Sequence, residues 1–470
     1  MPAALGASHE SCDPRVAEDQ SSPMTSPDAP CAGPAGHDGA SAAGGVGSDR
    51  AGSDVSRSAL DAAPRLTVLM TVPTLDVGAA DEGAIDLART LAAAGHRPVV
   101  ASRGGRFEGE IARVGGVFVR LDAASHNPLV IIRNVDRLRR LVRQHGCDAV
   151  HAHGRASAWS AWAAARATGR PFVTTCYSGF REQNRLKHWY NGVMARADRV
   201  VAVSEQIGDL MVERHRVAPE RLVVVHPGLD LAGFDPVTLA PERIVAARNA
   251  WGVGPETRVV LFPGRILRRR GHHVAVQAAR RLKESGLRDF LFVFAGEDGG
   301  RSRYSGELWD QVMASGTADV IRLTGPSPDP AAASAAASVV VGASIQLEGL
   351  SRGLLEGMAM ARPVIASHLA AGPEAVLAPP AVGEDRMTGL RVPAGDDAAL
   401  AAALIRMLAY SEAQRAAMGQ RARAWVLSEY DPADAAARML AVYAALCGPP
   451  ATPGAASPSA ADPAVDPGRR

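Results

Sequence analysis

Lysine is almost absent from this chain: of 51 basic residues only Lys187 and Lys283 are lysine, and the rest are arginine. Cysteine is scarce as well. Cys12, Cys31, Cys147, Cys176 and Cys447 make an odd set with no metal-ligand spacing, so neither a disulfide framework nor a zinc site is expected, and a reducing compartment fits best. The N-terminus lacks a basic stretch followed by an apolar core, so no secretory signal is read there. No run of 18 or more strongly apolar residues occurs, and no membrane-crossing helix is expected. The Ala-rich run 331–345 comes nearest, but Ser334, Ser338, Gly342 and Ser344 interrupt it, and it reads as a helix followed by a strand. Net charge is also small, at +2, which gives no bulk attraction for nucleic acid.

The 470 residues are enough for two or three domains, and 47% apolar with 21% charged is ordinary globular composition. Residues 1–63 and 448–470 are rich in Ala, Gly, Ser, Pro and Asp with few large apolar side chains, and are expected to be disordered. Between them, short β-branched runs alternate with amphipathic helical stretches, the pattern of a parallel sheet covered on both faces. Strands are predicted at 66–72, 99–101, 117–119, 149–151, 172–174, 200–203 and 222–225. After 226–257, which reads as a connection with one short helix near 241–250, the alternation restarts. Strands follow at 259–262, 290–295, 320–323, 339–343 and 364–366, with closing helices near 397–409, 412–427 and 432–446. The expected α/β architecture is two facing Rossmann-like domains, 64–235 and 258–430, joined by a linker at 236–257. Ligands bind beyond the carboxyl ends of strands in such sheets, so the cleft between the domains is the natural site.

Four groups of residues aim at a phosphate- and sugar-binding site. Pro263-Gly264-Arg265, then Arg268, Arg269 and Arg270, follow a strand end, where guanidinium forks bind phosphate through paired charge-assisted hydrogen bonds. Taken alone, the same loop also reads as a solvated basic turn. Glu348 and Glu356 flank a loop-to-helix turn; Gly349 and Gly353 read as leaving room for a ligand, and the helix start near Ser351 and Arg352 offers free N–H groups to an anion. The first loop, from Leu75 to Gly83, follows a strand and precedes a helix expected near Ala84. It carries no G-x-G-x-x-G, which counts against a nicotinamide or flavin enzyme, and it reads equally as a plain turn. His151, His153, Arg155, Tyr177 and Ser204 sit at first-domain strand ends, where a lone histidine is more often structural than substrate-binding.

Together these segments resemble glycosyltransferase family 4, a retaining family with the GT-B fold, over about 64–446. The resemblance rests on Gly264-Arg265, the Glu348…Glu356 pair, VVHPGLD at 224–230 and Gly372-Pro373-Glu374. HAHGRASAWSAW, PFVTTCYSGF and YNGVMARADRVVAVS are similar to a bacterial subgroup linked to lipopolysaccharide or exopolysaccharide assembly. The resemblance implies that Arg265 and Arg270 bind the donor diphosphate, Glu348 contacts the transferred sugar and Glu356 holds the ribose, with Ser351, Arg352, Gly353 and Gly78 around the phosphates. It implies catalysis by Glu348, Arg265, Arg270 and Tyr177 and a helix at 431–447 returning to the first domain, while His153, Arg155 and Tyr177 are the candidate substrate-binding residues. It implies no metal and no cofactor beyond a UDP- or GDP-sugar co-substrate, whose hexose passes to a lipid-linked or polysaccharide acceptor.

Four departures stand out. Arg270 replaces the family's lysine, Ala79 its second loop glycine, Tyr177 its histidine, and Leu350-Ser351 its Phe-Gly. The tyrosine keeps open a second reading, a catalytically impaired homologue that binds nucleotide sugar or glycan. An epimerase or a phosphorylase of similar architecture is the third; a phosphorylase would carry a cofactor lysine in a second-domain loop, and neither Lys187 nor Lys283 fits. Arg133, Arg137, Arg139, Arg140 and Arg143, with Leu138, Leu141 and Val142, form a basic amphipathic helix that suits either solvent or anionic lipid. The expected location is the cytoplasm, with peripheral contact on the inner membrane face as an option.

Overall fold

The computed structural model describes residues 65–448 apart from 77, 181–183, 297–302, 371 and 373. The two segments expected to be disordered lie outside the described residues, Gly448 excepted.

The first half alternates β1 (Thr67–Val72), α1 (Ala79–Ala93), β2 (Arg97–Ser102), α2 (Glu108–Arg113), β3 (Val117–Arg120), α3 (Pro128–His145), β4 (Ala149–Ala152) and α4 (Arg155–Thr168). It continues through β5 (Phe172–Cys176), α5 (Arg185–Asn191), β6 (Arg199–Ala202), α6 (Glu205–His215) and β7 (Leu222–Val224). All strands pair in parallel in the order β3-β2-β1-β4-β5-β6-β7. After α7 (Pro241–Trp251) come β8 (Arg258–Pro263), α8 (His272–Glu284), β9 (Phe290–Ala295), α9 (Tyr304–Ala314), β10 (Ile321–Leu323) and α10 (Pro330–Ala336). Then follow β11 (Val339–Gly342), α11 (Arg352–Ala359), β12 (Val364–Ser367), β13 (Gly389–Val392), α12 (Asp397–Ala409), α13 (Glu412–Glu429) and α14 (Pro432–Cys447). This second sheet is parallel too, in the order β10-β9-β8-β11-β12-β13.

Strand periodicity explains why each sheet is covered on both faces. Successive side chains alternate across a strand. In β1, Leu69 enters one core cluster while Val68, Met70 and Val72 enter the other. In β8, Val260 and Phe262 face one cluster, and Val259 and Leu261 face the opposite one. Both sets are buried, so these strands read as continuous apolar runs. Local signals set the helix ends. Asn127 accepts from the Leu129 amide ahead of Pro128, and Gly146 closes α3 in the left-handed region at φ 62°. Ser411 and Gln414 form a reciprocal capping box on α13.

Three differences from the sequence reading have physical causes. α1 starts at Ala79, five residues before the expected Ala84, because its first turn presents Asp81 and Glu82 and the apolar stripe begins only afterwards. Acidic residues there suit the positive end of the helix dipole. β13 went unread: it is a four-residue edge strand beginning at a glycine and carrying Arg391, with no periodic segment before it. The short helix expected near 241–250 is present as α7, but it belongs to the second domain's core: Trp251 is buried there with Ile244 and Ala247 against it.

The chain then returns. Leu229 donates to the Tyr430 carbonyl at 3.1 Å, and the α14 residues Val442 and Tyr443 are buried in the core of the first sheet. The described cysteines, Cys147, Cys176 and Cys447, are free, and burial pushes the Cys147 and Cys176 thiols up to about 12.

Candidate functional site

The carboxyl ends of the two sheets face one cleft of about 830 Å³, lined by α1, the Tyr177–Gly179 loop, the Pro263–Arg270 loop and the Leu347–Glu356 segment. It brings together Gly78, Arg155, Tyr177, Arg265, Arg270, Glu348, Arg352, Gly353 and Glu356 among the residues singled out from sequence. His153 lies in an adjoining first-domain cavity of about 930 Å³, which shares Arg155, Tyr177 and Lys187 with the cleft. Ser204 is a buried helix cap whose side chain accepts from the Ile207 amide. It belongs to neither cavity.

β8 delivers the basic loop. Gly264 has φ +105°, and an added Cβ there would collide with the Arg270 guanidinium, which donates to the Pro263 carbonyl at 3.4 Å. Arg270 is thereby folded over its own loop, with Nε 3.3 Å from Glu348 Oε1; Arg269 Nε lies 3.6 Å from the same oxygen. Glu348 is 8% exposed, and its buried Oε2 has no hydrogen-bond partner; Arg270 Nε, in ion-pair range of Oε1, makes no hydrogen bond. Burial, then the charges of Arg269 and Arg270, holds the Arg265 pKa below its ordinary value. Three guanidiniums thus crowd one carboxylate, leaving net positive charge for an anion.

The second glutamate sits on α11. No side chain caps this helix; the Leu354 and Leu355 amides bond to the Ser351 carbonyl, which leaves the first-turn amides of Arg352 and Gly353 for an outside acceptor. Glu356 Oε1 accepts from Arg352 Nε at 3.0 Å, and burial raises its carboxyl above the usual range against that pull. Arg352 also reaches Glu82 of α1 at 3.2 Å, an ion pair across the cleft. A second bridge joins the halves through backbone: Gly179 donates to Leu347 O at 3.1 Å, and Gly349 to Tyr177 O at 3.3 Å. The glycines expected to leave room for a ligand line the cleft, and each is also closely packed against protein. A Cβ at Gly349 would meet Val203 and the Tyr177 carbonyl, and one at Gly353 would meet Pro263 Cγ at 2.6 Å. Both allow close approach of protein to protein.

The first-domain wall is different in kind. His151 is fully buried, with Nδ1 2.6 Å from the Tyr443 hydroxyl and Nε2 2.8 Å from Thr175 Oγ1. His153 stacks on it at 4.3 Å and places Nδ1 2.8 Å from the Tyr177 hydroxyl. Burial takes the His153 pKa down to about 3 and the Tyr177 phenol well up, so both are neutral at working pH. The Tyr177 ring rests on α1 where Gly83 has no side chain; a Cβ there would lie 2.5 Å from the hydroxyl. Arg155 heads α4, donates to Asn191 Oδ1 at 3.0 Å, and lies 4.8 Å over the Phe180 ring. Ala79 is the exposed first residue of α1 and lines the cleft, with its methyl in place of a glycine.

Sequence reasoning passed over two cleft residues. Asp81 is buried, bonded by Thr74 Oγ1 and the Asp76 amide, and burial raises its carboxyl to about 6. Glu82 makes the cross-cleft ion pair. Their signal, two acids in the first turn of a helix, is common enough to be unremarkable. VVHPGLD packs where the chain crosses back: the His226 ring lies 5.3 Å from that of Tyr430, and Trp425 Nε1 donates to Glu374 O at 3.0 Å. Among the described residues, no group of three His, Cys, Asp or Glu side chains is placed to hold a metal.

Two family models match the two halves: Glycosyltransferase Family 4 over residues 82–232 and Glycosyl transferases group 1 over 257–410. D-inositol 3-phosphate glycosyltransferase 1 of Catenulispora acidiphila is 30% identical over 319 residues, 63% of this chain and 72% of the relative. D-inositol 3-phosphate glycosyltransferase of Kineococcus radiotolerans is 34% identical over 241 residues, 49% of this chain. The chain spans 53% of that relative and 60% of the Actinosynnema mirum protein of the same name. Among solved structures, a Rickettsia africae glycosyltransferase superposes with TM-score 0.72 at 25% identity, covering 82% of this chain and 99% of the other. Anabaena HepE in complex with UDP and glucose gives 0.69 at 18% identity, covering 81% and 100%. With the GT-B architecture, both family models and the Catenulispora relative in agreement, the chain belongs to glycosyltransferase family 4.

Proposed function

We propose that the protein is a retaining glycosyltransferase that moves a hexose from a UDP- or GDP-sugar to a glycan or lipid-linked acceptor of the cell-envelope polysaccharide kind. The observation that carries the reading is the buried Glu348 carboxylate set beside Arg269 and Arg270 at the floor of the cleft, with its Oε2 still without a hydrogen-bond partner. Arg265 and Arg270 hold the donor diphosphate, together with the first-turn amides of α11. Glu348 Oε2 accepts from a hydroxyl of the transferred sugar, and Glu356 accepts from the ribose. As the sugar–phosphate bond lengthens, negative charge grows on the diphosphate where the guanidiniums already stand. Such preorganised stabilisation is usually the largest single catalytic contribution. The acceptor hydroxyl enters from the first-domain cavity, where Phe180, Trp189 and Tyr190 offer aromatic faces to a pyranose and Arg155 and Lys187 offer positive charge.

The test is thermal stabilisation by UDP, GDP, ADP and CMP, with Glu356→Ala as control. One diphosphate should raise the melting temperature of the natural chain and not of the variant; no response to any nucleotide would defeat the reading.

One observation favours a second reading, a catalytically impaired homologue. The Tyr177 hydroxyl, in the position of the family's histidine, is turned to His153 and Gly83. If Tyr177→His gains sugar-nucleotide hydrolysis or transfer more than ten-fold, the natural chain is the impaired form; robust turnover by the natural chain removes this reading.

Peripheral membrane contact is part of the proposal. No helix among the described residues is long and apolar enough to cross a membrane. On α3, Leu138 and Val142 are buried, so that stripe faces the core, while Leu129 and Ile132 are 75% and 67% exposed among the exposed Arg133, Arg137, Arg140 and Arg143. Leu186 and Trp189 of α5 are exposed as well. Apolar side chains within a basic field suit an anionic lipid surface. Co-sedimentation with anionic vesicles should fall in Leu129→Ser/Ile132→Ser, and unchanged binding would remove this part.

A further inference from the structure

At the amino-terminal ends of β8, β11 and β12, on the far side of the second sheet from the cleft, lies a separate cavity of about 400 Å³. Arg248 of α7, Arg258 of β8, Arg362 just before β12 and Arg415 of α13 all line it. The carboxylates that line it are Glu256 and Glu412; both are exposed, whereas the four arginines are half-buried. Among the described residues neither glutamate is within ion-pair distance of any of the four.

Three of these guanidiniums are fixed largely by backbone carbonyls. Arg248 donates to Ala336 O at 3.1 Å and Thr257 O at 2.8 Å, Arg258 to Leu408 O at 3.1 Å, and Arg415 to Leu408 O at 3.4 Å and to Tyr410 O. Carbonyl dipoles hold a cation in place without cancelling its charge; only Arg258 has a carboxylate partner as well, Asp289. Arg362 has neither a side-chain hydrogen bond nor an ion pair among the described residues, and its Nε is buried without a partner, as is that of Arg248. Burial holds the Arg362 pKa down, and the nearby charges of Arg248 and Arg415 add to this against Glu412. Ala361, in the left-handed region at φ 54°, turns the chain from α11 into Arg362, and its carbonyl abuts Gly419 of α13 where a Cβ would collide. Backbone, and not a flexible loop, thus fixes where the unpaired guanidinium begins.

A buried cation without a partner is costly, and an anion able to meet several guanidiniums at once offsets that cost. We propose that this basin binds a small phosphorylated molecule, a phosphate monoester or diphosphate, at a site separate from the donor cleft. Several guanidiniums converging from different elements match the many oxygens of phosphate better than the two of a carboxylate. The volume lies within the usual range for small-ligand pockets, about 300–1,000 Å³. One short helix, α11, runs between the two sites: Arg352 and Glu356 line the cleft near its start, and Arg362 follows its end.

The experiment is calorimetric titration of the full chain with inorganic pyrophosphate at ~0.15 M salt, where exposed charges are screened beyond about 8 Å. The natural chain should bind two equivalents. Arg362→Met should lose one, or bind it at least ten-fold more weakly, and keep the other; Arg265→Met should do the reverse. Arg362→Met binding as the natural chain does would overturn the proposal, whatever Arg265→Met shows about the cleft. Should Arg362→Met fail to fold, diffraction from tungstate-soaked crystals of the natural chain decides. Anomalous density among Arg248, Arg362 and Arg415 supports the site, and density confined to the cleft overturns it.

Discussion

The two walls of the cleft solve opposite problems. The second-domain wall accumulates charge: Arg269 and Arg270 pair with Glu348, Arg265 feels the same charges, and Glu348 Oε2 is buried without a hydrogen-bond partner. The first-domain wall has a neutral heart: His151, His153, Tyr177 and Tyr443 form a buried stack in which burial drives every group toward its neutral form. One wall is prepared for a change in electrostatics, the other for shape. The lesson is that a residue's rank in the site follows from which wall it serves more than from its distance to the cleft centre.

The sharpest way to break this contrast is to compare Arg270→Met with Tyr177→Phe. Arg270→Met takes away charge that the leaving diphosphate needs, and turnover should fall ~10²–10³-fold, the usual scale for a preorganised stabilising group. Tyr177→Phe deletes only the hydroxyl facing His153, and turnover should change less than ten-fold. Steady-state kinetics with the donor that the nucleotide panel selects checks both; equal losses would erase the distinction between the walls.

Asp81 tests whether neutrality is enforced on the first-domain side. Its folded pKa, about 6, lies above the ordinary carboxylate value. Above pH 6 both folded and unfolded chains carry the charge and the burial penalty is fully felt; it is relieved as pH falls from 6 toward 4, and is gone below the unfolded pKa. Asp81→Asn should therefore stabilise the protein at pH 7 by on the order of 2–3 kcal/mol, at about 1.4 kcal/mol per pKa unit. The gain should vanish below pH 4 in denaturation curves. A gain unchanged across that range would assign the effect to something other than ionisation.

Gly83→Ala probes the shape wall. The new methyl would enter the space of the Tyr177 hydroxyl, and overpacking of this kind costs about 1–3 kcal/mol. In a Tyr177→Ala background the same substitution should cost almost nothing, so a double-mutant cycle by chemical denaturation isolates the contact. The smallest effect belongs to Glu82→Gln. The Arg352–Glu82 pair spans the cleft but is well exposed, so stability should change by no more than about 1 kcal/mol. Any consequence should show as a few-fold rise in donor KM.

The sequence by itself determined the two α/β halves and the chemistry of the donor wall. Alternating β-branched runs and amphipathic stretches are local patterns, and Gly264-Arg265, Glu348 and Glu356 sit within a few residues of the strand ends that present them. Only the tertiary structure decided the rest, because it depends on contacts between residues far apart in the chain. Tyr443 meets His151 across 292 positions, Arg352 meets Glu82 across 270, and Gly349 and Gly353 turn out to sit tight against Val203, Tyr177 and Pro263. Asp81 owes its raised carboxyl to burial, which no local pattern encodes. The basin of Arg248, Arg258, Arg362 and Arg415 was equally illegible: four arginines spread over 168 positions share no motif, and they become one site only when three strand ends and two helices pack together.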